Sequence, residues 1–173
     1  MSTEQYTPKE THFTHPSHLE HLPAPSFEFL FHLECDMESF TEIGKGPYGK
    51  RMNVIFKGGQ FEGPRIRGTI RPGGGDWEIV EEDSTAYLDT RYNLETHDGA
   101  TIYLQTRGVR KGPQDVLDKL GEDTTIRADQ YCMRLNCFFE TGDERYKWLN
   151  KLVVIASSAR CGNQVVYDAY VVN

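Results

Sequence analysis

From Phe27 to Cys35 the chain alternates apolar and polar residues almost without a break, with the apolar side chains at odd positions. A period of two puts those side chains on one face of a strand. Similar runs follow at Arg51 to Phe56, Arg65 to Arg71, Trp77 to Val80, Ala86 to Glu95, Ala100 to Arg107, Tyr131 to Glu140, Leu152 to Ala159 and Gln164 to Val172. Turn residues separate them. Gly58-Gly59 reads as a turn, Pro72-Gly73-Gly74-Gly75 as a hairpin connection, and Cys161-Gly162-Asn163 as the last turn. His97-Asp98-Gly99 carries Asp-Gly, the strongest short hairpin signal in the chain. Gly112-Pro113 opens a short helix, Gln114 to Leu120, that Gly121 ends, and Glu144 to Asn150 has room for one helical turn.

This pattern predicts an all-β fold, an antiparallel up-and-down β-barrel of about eight or nine strands with one short helix. The 173 residues suit one domain, expected over 25–173. Residues 1–24 are different. They hold Pro8, Pro16 and Pro23, four histidines, and almost no aliphatic residue before Leu19, which reads as a polar N-terminal arm.

Charge narrows the partners. The formal net charge is −7, and no run of Lys and Arg exceeds two residues, so no nucleic-acid footprint is expected. Nothing approaches the roughly 18 to 20 apolar residues of a membrane-spanning helix, and the polar start lacks a signal-peptide core, so a cytoplasmic protein without a membrane partner is expected. Cys35, Cys132, Cys137 and Cys161 form no CxxC pair. Cys132 and Cys137, five apart on one strand, point to opposite faces, and all four read as free thiols.

Two motifs have ordinary explanations. Gly44-Lys45-Gly46-Pro47-Tyr48-Gly49-Lys50 matches a phosphate-binding loop, but Arg51 stands where Ser or Thr must hold Mg²⁺, and a strand follows instead of a helix. His12, His15, His18 and His21 recur every three residues, yet zinc sites need a folded frame, so no metal is expected. There is no GxSxG, and His32 and His97 are the only histidines after the arm, which argues against nucleophilic hydrolysis.

Charged residues inside the strands carry more chemistry: Arg65, Arg67, Arg71, Asp89, Arg91, Arg107, Arg134 and Glu140. On a strand from Ala86, Leu88, Tyr92 and Leu94 share one face while Asp89, Arg91 and Asn93 share the other. A three- or five-residue turn at Asp98-Gly99 pairs even positions with even, gathering Asp89, Arg91, Tyr103 and Arg107 into one polar cluster; a two-residue turn scatters it. Such a cluster either lines a barrel lumen, where it could clamp an anion and move a proton, or forms a salt-bridged outer face.

In order, LPAPSFEFLFHLECDM, GPYGKR, GGQFEGPRIRGTIRPGGGDW, LDTRYNLETHDGATIYLQTRG and FFETGDERYKWLN resemble the domain-of-unknown-function 3237 family over roughly residues 23 to 172. The resemblance implies a small antiparallel β-barrel, often paired into a homodimer. Its pattern falls on Tyr48, Arg51, Asp76, Trp77, Asp89, Arg91, Tyr103, Arg134 and Glu140, among others. The chain departs from the pattern around Arg134, at Cys132-Met133 and Leu135-Asn136-Cys137, which implies a reshaped pocket.

The expected function is therefore a cofactor-independent enzyme, an isomerase, cyclase or lyase acting on a hydrophobic metabolite inside the barrel, in the manner of secondary metabolism. Asp89 or Glu140 is the candidate base, Tyr103 the donor, and Arg91 and Arg134 the anion clamps. Tyr48, Arg51, Asp76, Trp77 and Arg107 are candidate substrate contacts. The rival reading is a noncatalytic small-molecule carrier.

Overall fold

The alternation that opens at Phe27 runs well past Cys35. In the computed structural model, which describes residues 23–173, it becomes β1 (Phe27–Gly46), which turns through Pro47-Tyr48 into β2 (Gly49–Glu62). Three short strands follow, β3 (Arg67–Ile70), β4 (Gly75–Asp76) and β5 (Ile79–Val80), then β6 (Ala86–Thr96) and β7 (Thr101–Lys111). After helix α1 (Gln114–Leu117) come β8 (Cys132–Glu140), a 3-10 turn over Lys147–Lys151, β9 (Val154–Cys161) and β10 (Gln164–Val172). His12, His15, His18 and His21 lie outside the described residues. Among the described residues no helix is long and apolar enough to cross a membrane.

All the pairings are antiparallel. β3, β4 and β5 each pair with β2 on one side and β6 on the other, so they are segments of one interrupted stave. β1 pairs with both β2 and β10. The ten strands thus close into an up-and-down barrel of eight staves. Beyond Asp36, β1 leaves β10 and continues with β2 alone, so the β1–β2 hairpin extends past the ring.

Three local expectations change. Gly58-Gly59 is not a turn: both residues lie within β2 at φ +145 and +144, next to a bulge in its pairing with β1. A Cβ on Gly59 would stand 2.0 Å from the Glu34 carbonyl oxygen, so close approach of β1 also requires glycine there. Pro72 to Gly75 does not reverse the chain, because Phe56 bonds across the loop, its N–H to Gly74 O and its carbonyl to the Gly73 N–H, and the stave resumes in the same direction. The helix is a single turn; the chain tightens after Leu117 through a Leu120 N–H to Leu117 O bond while both leucines stay buried.

The hairpin at His97-Asp98-Gly99 is a three-residue loop. Thr96 N–H bonds Ala100 O, Glu95 pairs with Thr101, and Gly99 takes φ +84. Even positions on β6 therefore meet even positions on β7, and the buried ones are Leu88, Thr90, Tyr92 and Leu94 against Ile102, Leu104 and Thr106. Toward one end the interior is filled solid. Phe31, with no exposed surface, packs edge-on against Phe61 at 5.7 Å and Phe139 at 6.0 Å, and Leu149 of the 3-10 turn joins the same core. Burying a side chain of that size contributes about 1.5–3 kcal/mol.

Candidate functional site

The same parity leaves a cavity in the rest of the lumen. Its wall is mostly apolar or weakly polar, with Cys35, Val54, Phe56, Leu88, Met133 and Leu135 among its residues, and its volume is about 590 Å³ when the open solvent at its mouth is counted. It is narrow, with room for a few water molecules.

Among the described residues four charged side chains reach this cavity from inward positions on three staves: Asp76 and Glu78 flanking Trp77, Arg110 near the end of β7, and Arg160 near the end of β9. Asp76 and Glu78 are buried. Asp76 Oδ1 accepts the Asp89 backbone N–H at 2.9 Å. Burial first, then the charge of Glu78, pushes the Asp76 carboxyl up to about 7, against the opposing pull of the Asp89 N–H and the Arg110 charge. Arg110 Nη1 lies 3.9 Å from Glu78 Oε2, an ion pair too long to be a hydrogen bond, and Arg110 Nε is buried with no partner among the described residues. Arg160 donates from Nε to Gly162 O at 2.9 Å, its guanidinium carbon stands 5.0 Å from the centre of the Phe40 ring, and burial lowers its pKa.

Deeper in, two hydrogen-bonded pairs line the wall. Thr90 Oγ1 and Thr106 Oγ1 are 2.6 Å apart, and the Tyr92 and Tyr167 hydroxyls are 2.7 Å apart. Burial raises both phenols well above their ordinary pKa and pushes the Cys35 and Cys137 thiols up to about 12. At neutral pH these groups are uncharged, so Asp76 is the wall group here that titrates near 7.

The cluster expected around Asp89 does assemble, but on the outer face. Asp89 Oδ2 lies 3.1 Å from Arg91 Nη1, and its Oδ1 accepts from Gln105 Nε2 at 3.0 Å and Arg107 Nε at 3.4 Å. The side chains are open to solvent, 35% exposed for Asp89, 40% for Arg91 and 60% for Arg107. Burial pushes Asp89 up, yet the bonds from Gln105 and Arg91 and the charges of Arg91 and Arg107 hold it below the usual carboxylate range. Tyr103 and Glu140 are paired across β7 and β8 and line a shallow open groove on this same face. Arg134 is exposed, donating to its neighbour's carbonyl, Met133 O, at 2.9 Å. Placing Asp89, Arg91, Tyr103, Arg107, Arg134 and Glu140 in the lumen is thus corrected: Leu88, Tyr92, Leu94, Ile102 and Leu104 occupy the inward positions, and a period of two sends their neighbours out.

Tyr48 sits at the tip of the β1–β2 hairpin, 79% exposed. Arg51 donates from Nη1 to Trp77 O at 2.6 Å, tying β2 to the residue between the two lumen carboxyls. Among the expected site residues Asp76 alone faces the cavity. Glu78, Arg110 and Arg160 were missed, although a signal existed: Arg110 shares the parity of Ile102, Leu104 and Thr106, and Arg160 that of Val154, Ala156 and Ser158.

With this geometry in place, comparison with known proteins gives a consistent picture. A family model described as protein of unknown function (DUF3237) matches residues 25–172. A UPF0311 protein of Rhodopseudomonas palustris (strain TIE-1) is 31% identical over 148 residues, 86% of this chain and 97% of that one. A solved β-barrel-like protein from Acinetobacter baumannii is 39% identical with a TM-score of 0.78, covering 89% of this chain and 99% of its own. An enzyme from Penicillium herquei has the same fold at 21% identity and a TM-score of 0.64, covering 90% of this chain and 100% of its own.

Proposed function

The chain belongs to the family described as protein of unknown function (DUF3237), and we propose that it is a cofactor-independent enzyme of the isomerase, cyclase or lyase type. It acts on a hydrophobic small metabolite held in the lumen, as in secondary metabolism. The observation that carries this reading is the position of Asp76: a buried carboxyl with a pKa of about 7, beside Glu78 and within the field of Arg110, on the wall of a mostly apolar cavity. A group that takes a proton from one atom of a substrate and returns one to another works best when both of its protonation states are populated at the working pH. Isomerisation, ring closure and elimination need no further reactant, because the atoms gained and lost belong to the substrate. The mostly apolar wall lowers the local dielectric and so strengthens each electrostatic contact within it. That a fungal barrel of this fold is described as an enzyme is in keeping with the reading.

The test is native mass spectrometry and thermal shift against a panel of phenolic, polyketide-like and terpenoid compounds, run on the parent protein, Asp76→Asn and the outer-face variant Asp89→Asn. The expected result is a ligand that stabilises all three and is converted by the parent and Asp89→Asn but not by Asp76→Asn. Stabilisation without conversion by any of them makes the protein a carrier. Loss of conversion in Asp89→Asn alone returns the chemistry to the outer face.

A further inference from the structure

The lumen holds two guanidinium groups whose polar atoms are incompletely used. Among the described residues Arg110, with a side chain only 11% exposed, has an unpartnered Nε and no closer acidic contact than Glu78 at 3.9 Å. Buried arginine donors are rarely left unpaired, since each forfeits the hydrogen bonds it had in water. Arg160 uses Nε on the Gly162 carbonyl and sets its guanidinium against the Phe40 ring, and among the described residues no carboxylate salt-bridges it.

The charges facing one another here come from three staves, Asp76 and Glu78 from the interrupted stave, Arg110 from β7 and Arg160 from β9, while β1 adds the Phe40 ring at the edge. Among the described residues Glu78 is the one carboxylate near enough to pair with Arg110, and Asp76, with both of its protonation states populated near neutral pH, offsets only part of the remaining charge. The cavity is therefore left with excess positive charge beside apolar walls. Charge of that sign in a poorly hydrated place favours an anion that brings its own apolar body.

We propose that Arg110 and Arg160 are the head-group site of the lumen, and that the molecule bound there is an organic acid whose ionised oxygen meets the two guanidinium groups while its apolar portion lies toward Tyr92 and Tyr167. This rests on the lumen reading above and adds to it the chemical class and orientation of the ligand. Planar guanidinium donors suit a carboxylate or an ionised phenol, both of which present oxygen lone pairs in a plane.

The probe pair is 3-phenylpropionate and its neutral, nearly isosteric carboxamide, titrated calorimetrically into the full chain at neutral pH. The acid is expected to bind about tenfold or more tightly than the amide. Arg110→Met and Arg160→Met should each bring the acid down toward the amide and leave the amide unchanged, Arg160→Lys should keep part of the preference, and the exposed Arg127→Met should keep all of it. Equal binding of acid and amide to the parent, a comparison that needs no variant to fold, overturns the head-group site. Survival of the preference in both methionine variants also overturns it. In either case, amide binding that disappears when Leu88→Trp fills the cavity keeps the lumen reading standing. Failure of both compounds to bind the parent removes the lumen reading and this site together.

Discussion

The hydroxyls of Tyr92 and Tyr167 meet at 2.7 Å from β6 and β10, staves four places apart in a ring of eight, so one hydrogen bond spans the barrel and floors its cavity. Both side chains are buried, and each hydroxyl is the other's hydrogen-bond partner. Tyr92→Phe or Tyr167→Phe should each cost about 1–3 kcal/mol by orphaning the other hydroxyl, while the double variant should cost less than the two together. Urea unfolding of the four proteins measures this cycle.

Asp76 ties stability to pH. Its carboxyl moves from an ordinary 3.8 to about 7 in the fold. Below about pH 4 the folded and unfolded chains are both protonated, and burial sequesters no charge. As pH rises toward 7 the unfolded chain releases its proton first, so the folded state loses relative stability, up to about 4 kcal/mol once the buried group ionises. Asp76→Asn has no such proton to lose. The melting temperature of the variant relative to the parent should therefore climb between pH 4 and pH 7 and level off above; a constant difference would mean that Asp76 ionises as an ordinary carboxylate.

On the outer face, Asp89→Asn and Arg91→Ala break an exposed ion pair and should change stability by less than about 1 kcal/mol. They should also leave ligand affinity in the lumen unchanged. Chemical denaturation and ligand titration on the same preparations check both halves.

Gly121, in the turn after α1, lies against Arg160, where a Cβ would stand 3.0 Å from Nη2. Gly121→Ala should therefore displace the end of a flexible side chain rather than backbone. Its expected signature is a several-fold weaker affinity for 3-phenylpropionate with the carboxamide unaffected, and a melting temperature within a few degrees of the parent. A large loss of stability with unchanged acid affinity would mean that the guanidinium does not move.

Much of the fold was legible because strand alternation is a local property. Alternation at Phe27 to Cys35 and Ala86 to Glu95, with Asp-Gly between two such runs, specifies strands and a hairpin without reference to the rest of the chain. Parity also foresaw that an odd-length loop would put Asp89, Arg91, Tyr103 and Arg107 on one face; Asp89 pairs with Arg107 as that requires, while Tyr103 stands farther along, opposite Asn93. Gly58-Gly59 misled because positive φ serves a strand beside a bulge as well as a turn.

What the sequence by itself determined, then, was the strands, their closure into a small barrel and the sets of residues that share a face. Which face became the interior was decided by closure, since burying Leu88, Tyr92, Ile102 and Leu104 together outweighs leaving them in water and obliges the charged set to turn outward. The lumen site was likewise a tertiary product. Arg110 and Arg160 are fifty residues apart along the chain, each near the end of its strand, and only the ring of staves brings them to the cavity that holds Asp76 and Glu78.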